Sequence, residues 1–505
     1  MLWHAIARLT TSNYMTITAI VATLVGYIAL LFFVAWRSSR GADNKAFFTG
    51  GRNTNSIVAS VAMVGAAMSG VTYISVPGSV ATDGFSYLQT CAGFFVGYVI
   101  IALVLVPLYY RMGVVSLYEY LDRRFGGVAC STGAWFFFVA KILSASLRAY
   151  IICVVLQGLL YDKLWLPFEV NALVMMLFVW LYTRRGGVRS VVWVEMLKTV
   201  IMVCSIVVCT ILVIKALGLD LGGAIGAIAD SRYSQILFFD NPMDGRYFWK
   251  QFISGAFLVV AMTGLDQDMM QTVLSCRNRV DAQRGLLSSI VVQIIVITLF
   301  LSLGALLYIY VDNMGVDAVR GDGLFGYVAI ECGLPAIAGV LFLLGVVAST
   351  YSSAGSALTA LTTSFTLDIL KLRDRYDVQS GEGSRAISRY RKWVHAFVAL
   401  AMTAIIVCFN RWSEAGAITL IFTMASYTYG PLLALFSFGL LTKRKLRSWA
   451  IPIISIVAPI ISYVVASHSE IWFGGYKFSY EVLILNSLLA FIGLYICSYS
   501  RNRTA

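Results

Sequence analysis

The chain has 505 residues, of which only 12% are charged, and a mean hydropathy of +0.81. That composition excludes a soluble domain: apolar runs of about 20 residues recur from end to end, each long enough to cross a bilayer. The formal net charge of +13 sits in short loops between those runs, where it orients a membrane protein, so it does not call for nucleic acid.

In chain order the runs predict thirteen spans, at 14–36, 54–79, 86–110, 131–160, 167–183, 190–216, 248–273, 285–311, 335–369, 393–410, 416–441, 448–467 and 480–499. The first is too long for a signal-peptide core, and its positive flank, Arg37 and Arg40, lies on the wrong side for one. It is expected to remain as a span. Threading alternate loops to opposite sides puts Arg37, Arg111, Arg123, Arg124, Arg184, Arg185, the cluster from Lys371 to Lys392, Lys443 to Arg447, Arg501 and Arg503 together. That side is then cytoplasmic, with the N-terminus outside and the C-terminus inside the cell membrane. The longer loops 217–247 and 312–334 fall outside, and the second is apolar enough for a short helix over the outer mouth.

Nine cysteines without a C-x-x-C pair and three separated histidines give neither a disulfide framework nor a His-based metal site. No catalytic triad, P-loop, haem or zinc spacing is present, so neither an enzyme nor an ATP-driven pump is expected. The chain reads as a single all-α membrane domain, residues 1–505. Its expected partners are the lipid bilayer and a small-molecule solute, and no segment marks an obligatory protein partner.

Two spans are interrupted. Ser69-Gly70 and then Pro77-Gly78 break the second, and Thr263-Gly264-Leu265-Asp266 breaks the seventh. They stand five spans apart, so a five-span repeat would enter the membrane from opposite sides, and paired broken helices of this kind point to a midplane binding site. The ninth span carries Ser349, Ser352, Ser353 and Ser356 at i, i+3, i+4 and i+7, one helical face. Such a stripe serves either close helix packing or a hard cation, which prefers oxygen ligands. If the second span unwinds near Gly65 to Ser69, its freed carbonyls and these hydroxyls form a neutral oxygen cage. That suits Na+, since Ca2+ and Mg2+ sites normally include carboxylates.

Charges inside spans are costly and face cavities or partners. Lys141 and Arg148 lie seven residues apart on span 4, on nearly one face. Arg148 either holds a substrate carboxylate or pairs with Glu195 or Asp266. Glu195 and Lys198, at i and i+3, are placed to pair with each other. Asp266 either caps the second half of span 7 or serves substrate or proton. The aromatics Tyr73, Phe85, Tyr87, Phe94 and Tyr98 gather at the outer end of spans 2 and 3, and Tyr118 to Phe125 reads as an amphipathic surface helix.

Phe48-Thr-Gly-Gly-Arg52, Pro77-Gly78 with Gly84, Tyr118-Glu-Tyr-Leu, Arg124-Phe-Gly126, Gly186-Gly187, Val192-Trp-Val-Glu195, Gly264-Leu-Asp-Gln267, Ser352-Ser353 and Phe365-Thr-Leu-Asp368 follow in this order. Together they resemble the sodium:solute symporter family, over about residues 45 to 445. The resemblance implies a leucine-transporter-type five-helix inverted repeat (54–216 and 248–441), preceded by one span (14–36) and followed by two (448–499), working by alternating access. It also implies a sodium site of the Gly65, Met68 and Ser349 carbonyls with the Ser352 and Ser353 hydroxyls. A second ion site, found in some members, would fall on Glu195 and Ser356, with Lys198 in place of a usual Gln and Gly355 in place of a serine. Its Ser-x-x-Thr pocket motif falls on Ser69 and Thr72, and the sugar-binding positions fall on Ala67 and Val71, which disfavours a neutral hexose. The solute-facing candidates are therefore Ser69, Thr72, Tyr73, Gln89, Arg148, Asp266 and Gln267. The expected activity is Na+-coupled import of a small carboxylate-bearing solute resembling a sialic acid or amino acid, with Na+ as the only cofactor. Proton coupling through Asp266 or Glu195, or a transporter-shaped sensor, are the alternatives.

Overall fold

The computed structural model describes residues 17–41, 44–315, 320–376, 381–412 and 417–499. Residues 14–16, 316–319, 377–380, Arg501 and Arg503, which entered the expectations above, lie outside that set. The described residues are mostly helical; extended pairing is limited to Lys445–Leu446 with Ser498–Tyr499, antiparallel, and a single bridge between Thr54 and Cys276.

The long helices are α1 (Ile17–Ser39), the pair α2 (Ser56–Ala67) and α3 (Gly70–Asp83), α4 (Tyr87–Met112), α5 (Gly127–Leu164), α6 (Phe168–Gly186) and α7 (Val188–Ala216). They continue with the pair α8 (Phe248–Gly264) and α9 (Gln267–Leu274), α10 (Arg279–Met314), the short α11 (Leu324–Glu331), α12 (Ala336–Ile369), α13 (Gly381–Trp412), α14 (Ala417–Leu441), α15 (Ala450–Ser467) and α16 (Val482–Ile496). Every expected span coincides with one of these helices or bent pairs. Among the described residues, nine helices are long and apolar enough to cross a membrane, or up to eleven if each bent pair is one span. The count of thirteen is therefore not fixed, because α16 has only 15 residues and α6 falls outside the set that passes.

The two bends are 63° between α2 and α3 and 68° between α8 and α9. At the first, Met68 and Ser69 leave helical geometry for extended backbone. Pro77-Gly78 does not break the helix as expected: α3 runs through it to Asp83. Gly78 instead allows the 321–323 turn to sit against its backbone, since a Cβ there would collide with the Gly321 carbonyl. At the second bend, a wide turn over Val260–Gly264 ends the first half, and Asp266 begins the second.

Small residues set the packing. Gly93 and Gly97 of α4, at i and i+4, lie against the backbone of Phe252 and Ala256 of α8, and Gly255 faces the Thr90 carbonyl. Backbones approach this closely only without side chains between them. The broken pair α2/α3 is wrapped by α7, α10 and α12, and α12 is buried along most of its length between α7, α5 and α3. The short helix expected in the 312–334 loop is present as α11, packed on α12 and α3, and the turn before it, not α11 itself, reaches the cavity. The expected surface helix is Glu119–Phe125, and Arg124 within it donates to the Thr442 and Arg444 carbonyls at 2.8 and 3.0 Å.

Candidate functional site

Both breaks open onto one cavity of about 440 Å³. At its base lie Ser69, Thr72, Ser144, Arg148, Asp266 and Tyr429, and Tyr87, Phe94 and Tyr98 line its wall. Asp83, Arg320, Asp322 and Tyr480 mark the other end. Burial raises the Asp322 carboxyl above its ordinary range, partly offset by a hydrogen bond with Ser75. On the side away from that mouth the break is sealed. Tyr109 donates to the Gly264 carbonyl (3.1 Å), Tyr118 donates to the Leu265 carbonyl (3.2 Å), and the Gln267 amide bridges Leu117 N–H and the Val115 carbonyl (3.0 and 3.1 Å).

The first break is capped by hydroxyls. Ser69 Oγ accepts from Thr72 N–H at 3.4 Å and Thr72 Oγ1 accepts from Ser69 N–H at 3.3 Å, a reciprocal cap. The second is capped by a carboxylate. Asp266 Oδ1 accepts from the N–H groups of Asp268 (2.8 Å) and Met269 (3.3 Å). Asp266 also takes the Lys141 ammonium at 3.1 Å and the Tyr429 hydroxyl. Lys141 reaches Asp268 as well, at 2.6 Å, and Ser356 donates to Asp268. So Lys141, not Arg148, is the partner of Asp266. Arg148 is half-buried, lines the cavity, and has no ion pair or hydrogen bond with a described residue.

Beside this network stands the serine face of α12. Ser353 Oγ donates to the Ser349 carbonyl at 2.8 Å and accepts from Lys198 at 3.1 Å, and Lys198 also meets Glu195 Oε2 at 3.1 Å. Ser352 Oγ and Glu195 Oε1 are neighbours, both buried and both without a geometrically formed hydrogen bond. The end of α2 closes on this group: a Cβ on Gly65 would stand 2.6 Å from the Glu195 carbonyl and 2.9 Å from Glu195 Oε2. Gly70 similarly abuts Ser349 Oγ, at 3.1 Å from its would-be Cβ. The end of α2 therefore lies against Glu195 and the start of α3 against Ser349, while the Gly65 carbonyl accepts from Met68 N–H at 3.2 Å. Ser356 turns instead to Asp268, and Gly355 has no room for a side chain, because the Tyr182 hydroxyl occupies it on its way to the Tyr351 carbonyl.

Three solute-facing candidates do not line the cavity. Tyr73 is fully buried, bonded to Ser205 at 2.6 Å and packed on Phe300 and Phe325. Gln89 ties the 217–247 loop to α4 through the Arg246 carbonyl (2.8 Å) and Phe238 N–H (3.0 Å). Gln267 is spent on the seal already described. Ser69, Thr72, Arg148 and Asp266 do line it. Sequence reasoning missed Tyr429, an aromatic hydroxyl just before Gly430-Pro431 whose role shows only when α14 lies beside the second break. It also missed the link from Lys141 to Asp268, which joins residues distant in sequence.

The family model described as "SSF: Sodium:solute symporter family" matches residues 47–452. The sodium-coupled monocarboxylate transporter 1 of Mus musculus is 26% identical over 424 residues, covering 82% of this chain and 67% of that one. The sodium/iodide cotransporter of Homo sapiens is 24% identical over 415 residues, 80% of this chain and 62% of the relative. The chain therefore spans about two thirds of the length of these relatives. A solved Na+-coupled sialic acid symporter, in a substrate-bound outward-open state, superposes with a TM-score of 0.79 at 18% identity, over 96% of this chain and 98% of that one. The likeness fixes the fold as that of leucine-transporter-type symporters.

Proposed function

Because the chain belongs to the sodium:solute symporter family, a family of transporters rather than enzymes, we propose that it imports a small carboxylate-bearing solute by alternating access, driven by Na+. The observation that carries the solute class is Arg148. A guanidinium facing a cavity without an ion-pair partner among the described residues is an incomplete ion pair, and a carboxylate completes it with two parallel hydrogen bonds. Ser69, Thr72 and Ser144 around it offer hydroxyls for the rest of a small polar solute. Two relatives named for monocarboxylate and for iodide carry anions, which agrees with a cationic base to the cavity.

Sodium binds in this reading at the end of α2, against Ser352 and Ser353. Ser352 Oγ and Glu195 Oε1, buried with no partner other than each other among the described residues, are oxygens that a small cation would satisfy. The cavity reaches one mouth and is sealed on the other side, so with the loop 312–334 outside, the protein stands outward-facing. Na+ and solute binding there favour each other reciprocally, and the membrane potential adds roughly 2.3 kcal/mol per charge per 100 mV. Proton coupling is the competing reading, favoured by the free oxygen of Glu195. Asp266 is a poor proton carrier here, since two N–H groups, an ammonium and a phenol already hold it.

The test is uptake of labelled monocarboxylates, amino acids and sialic acids into proteoliposomes under an inward Na+ gradient. Arg148→Gln is expected to lower carboxylate uptake at least tenfold. Ser353→Ala abolishes uptake if Na+ is the coupling ion and spares it if protons are. Solute binding without uptake by the wild type would instead mean a sensor.

A further inference from the structure

A second, enclosed void with room for about one water, roughly 10 Å³, lies between the solute cavity and the serine face of α12. Lys141 and Arg148 line both the void and the large cavity. Glu195 and Asp268 face the void, and two direct ion pairs bring in the remaining charges: Asp266 on Lys141 and Lys198 on Glu195. Six charged side chains thus form one buried cluster, three cations and three carboxylates. Asp83, Arg320 and Asp322 line the cavity's other end, and Asp368 is engaged with Ser116 at 2.6 Å. Lys198 is completely buried, as is Glu195.

We infer that Lys198 sets the charge of this cluster so that the empty carrier is neutral and one Na+ balances one carboxylate solute. The inference rests on the Na+ and carboxylate reading above. Net buried charge is what a low-dielectric site resists. With Lys198 present, the empty cluster sums to zero, Na+ alone makes it positive, solute alone makes it negative, and both together restore neutrality. Each ligand is then penalised alone and favoured in the presence of the other, without any large rearrangement. The ammonium also competes directly, because it donates to Ser353, one of the cage hydroxyls, at 3.1 Å. A neutral residue at position 198 would leave the empty cluster negative. Na+ would then bind on its own, and the carrier would return loaded with the ion.

The experiment titrates Na+ alone against the full-length protein in nanodiscs, replacing Na+ by K+ at constant ionic strength and reading thermal stabilisation. Wild type is expected to respond only at high Na+. Lys198→Gln is expected to lower the half-saturating Na+ concentration by about a hundredfold, the size of effect that one unit charge at about 6 Å exerts through an effective dielectric near 20. Arg148→Gln, which removes a cation from the same cluster without touching Ser353, is expected to shift it the same way and keeps the test open if Lys198→Gln fails to fold. An unchanged or raised half-saturation in either folded variant, with wild type responding, overturns the charge balance and leaves Na+ coupling standing. A Na+ response that appears only in the variants supports the role of Lys198 and overturns Na+ dependence of the natural protein. No response in any of them overturns both.

Discussion

The two helix breaks do the same mechanical job with opposite chemistry. The α2/α3 break is capped without charge: two hydroxyls cap the new helix start, and the chain before it ends against oxygens of Glu195 and Thr199. The α8/α9 break is charged: Asp266 caps the new helix and is itself held by Lys141 and Tyr429. A carboxylate so fully engaged is a structural anchor, whereas carbonyls and hydroxyls with unused lone pairs are a binding site. In the reading proposed above, ion binding belongs to the first break and rigidity to the second, with Arg148 between them for the solute.

Four substitutions sharpen or break that contrast. Asp266→Ala is expected to be the most damaging, since it breaks one of the two buried ion pairs of Lys141, leaving Asp268 as its sole carboxylate, and uncaps α9. Breaking a buried pair costs about 3–5 kcal/mol, so detergent-solubilised protein should show a large drop in thermal stability and loss of monodisperse material. A near-normal melting profile would show that the second break is not an anchor. Gly65→Ala comes next. Its Cβ would meet the Glu195 carbonyl at 2.6 Å, forcing α2 away from α7 at a cost of about 1–3 kcal/mol. Na+-dependent stabilisation should disappear even where the protein remains folded.

Ser352→Ala should separate binding from stability. Among the described residues the hydroxyl has no partner other than its neighbour Glu195, so removing it should leave the melting temperature in K+ within a degree or two while weakening Na+ half-saturation about tenfold. Equal losses in both salts would make Ser352 a packing residue. The smallest effect is expected from Tyr73→Phe: about 1 kcal/mol from the lost bond to Ser205, read as a modest shift in melting temperature, with solute KM unchanged. A changed KM would place Tyr73 on the solute path after all.

Much of this was legible in the sequence because membrane spans, helix breaks and serine faces are local patterns. The break at Ser69 needs only a neighbouring glycine and a hydroxyl cap, and the face of α12 follows from i, i+3, i+4 and i+7 spacing. Pro77-Gly78 misled because proline is tolerated inside a packed helix when other elements cover it. Here the turn at Gly321 and the Tyr308 hydroxyl, which donates to the Gly78 carbonyl at 2.6 Å, do so. Tyr73 and Gln267 misled because adjacency to a break does not set the direction of a side chain, and Gln89, at the start of α4, is taken up by the 217–247 loop. Tyr73 points to Ser205, 132 residues away in the chain. The pairing of Lys141 with two aspartates and the contact of Lys198 with Ser353 were illegible for the same reason: only the packing of α5 on α9 and of α7 on α12 creates them.

The most direct test of Na+-coupled carboxylate import is a thermal-shift screen of the purified wild-type protein against monocarboxylates, acidic sugars, amino acids and neutral sugars, each in Na+ and in K+ at equal ionic strength. Ligands that bind the native state raise its stability. The account predicts that a carboxylate-bearing solute stabilises the protein in Na+ and not in K+, and that its uncharged amide does neither. Equal stabilisation in both salts, or a preference for a neutral sugar, would contradict it.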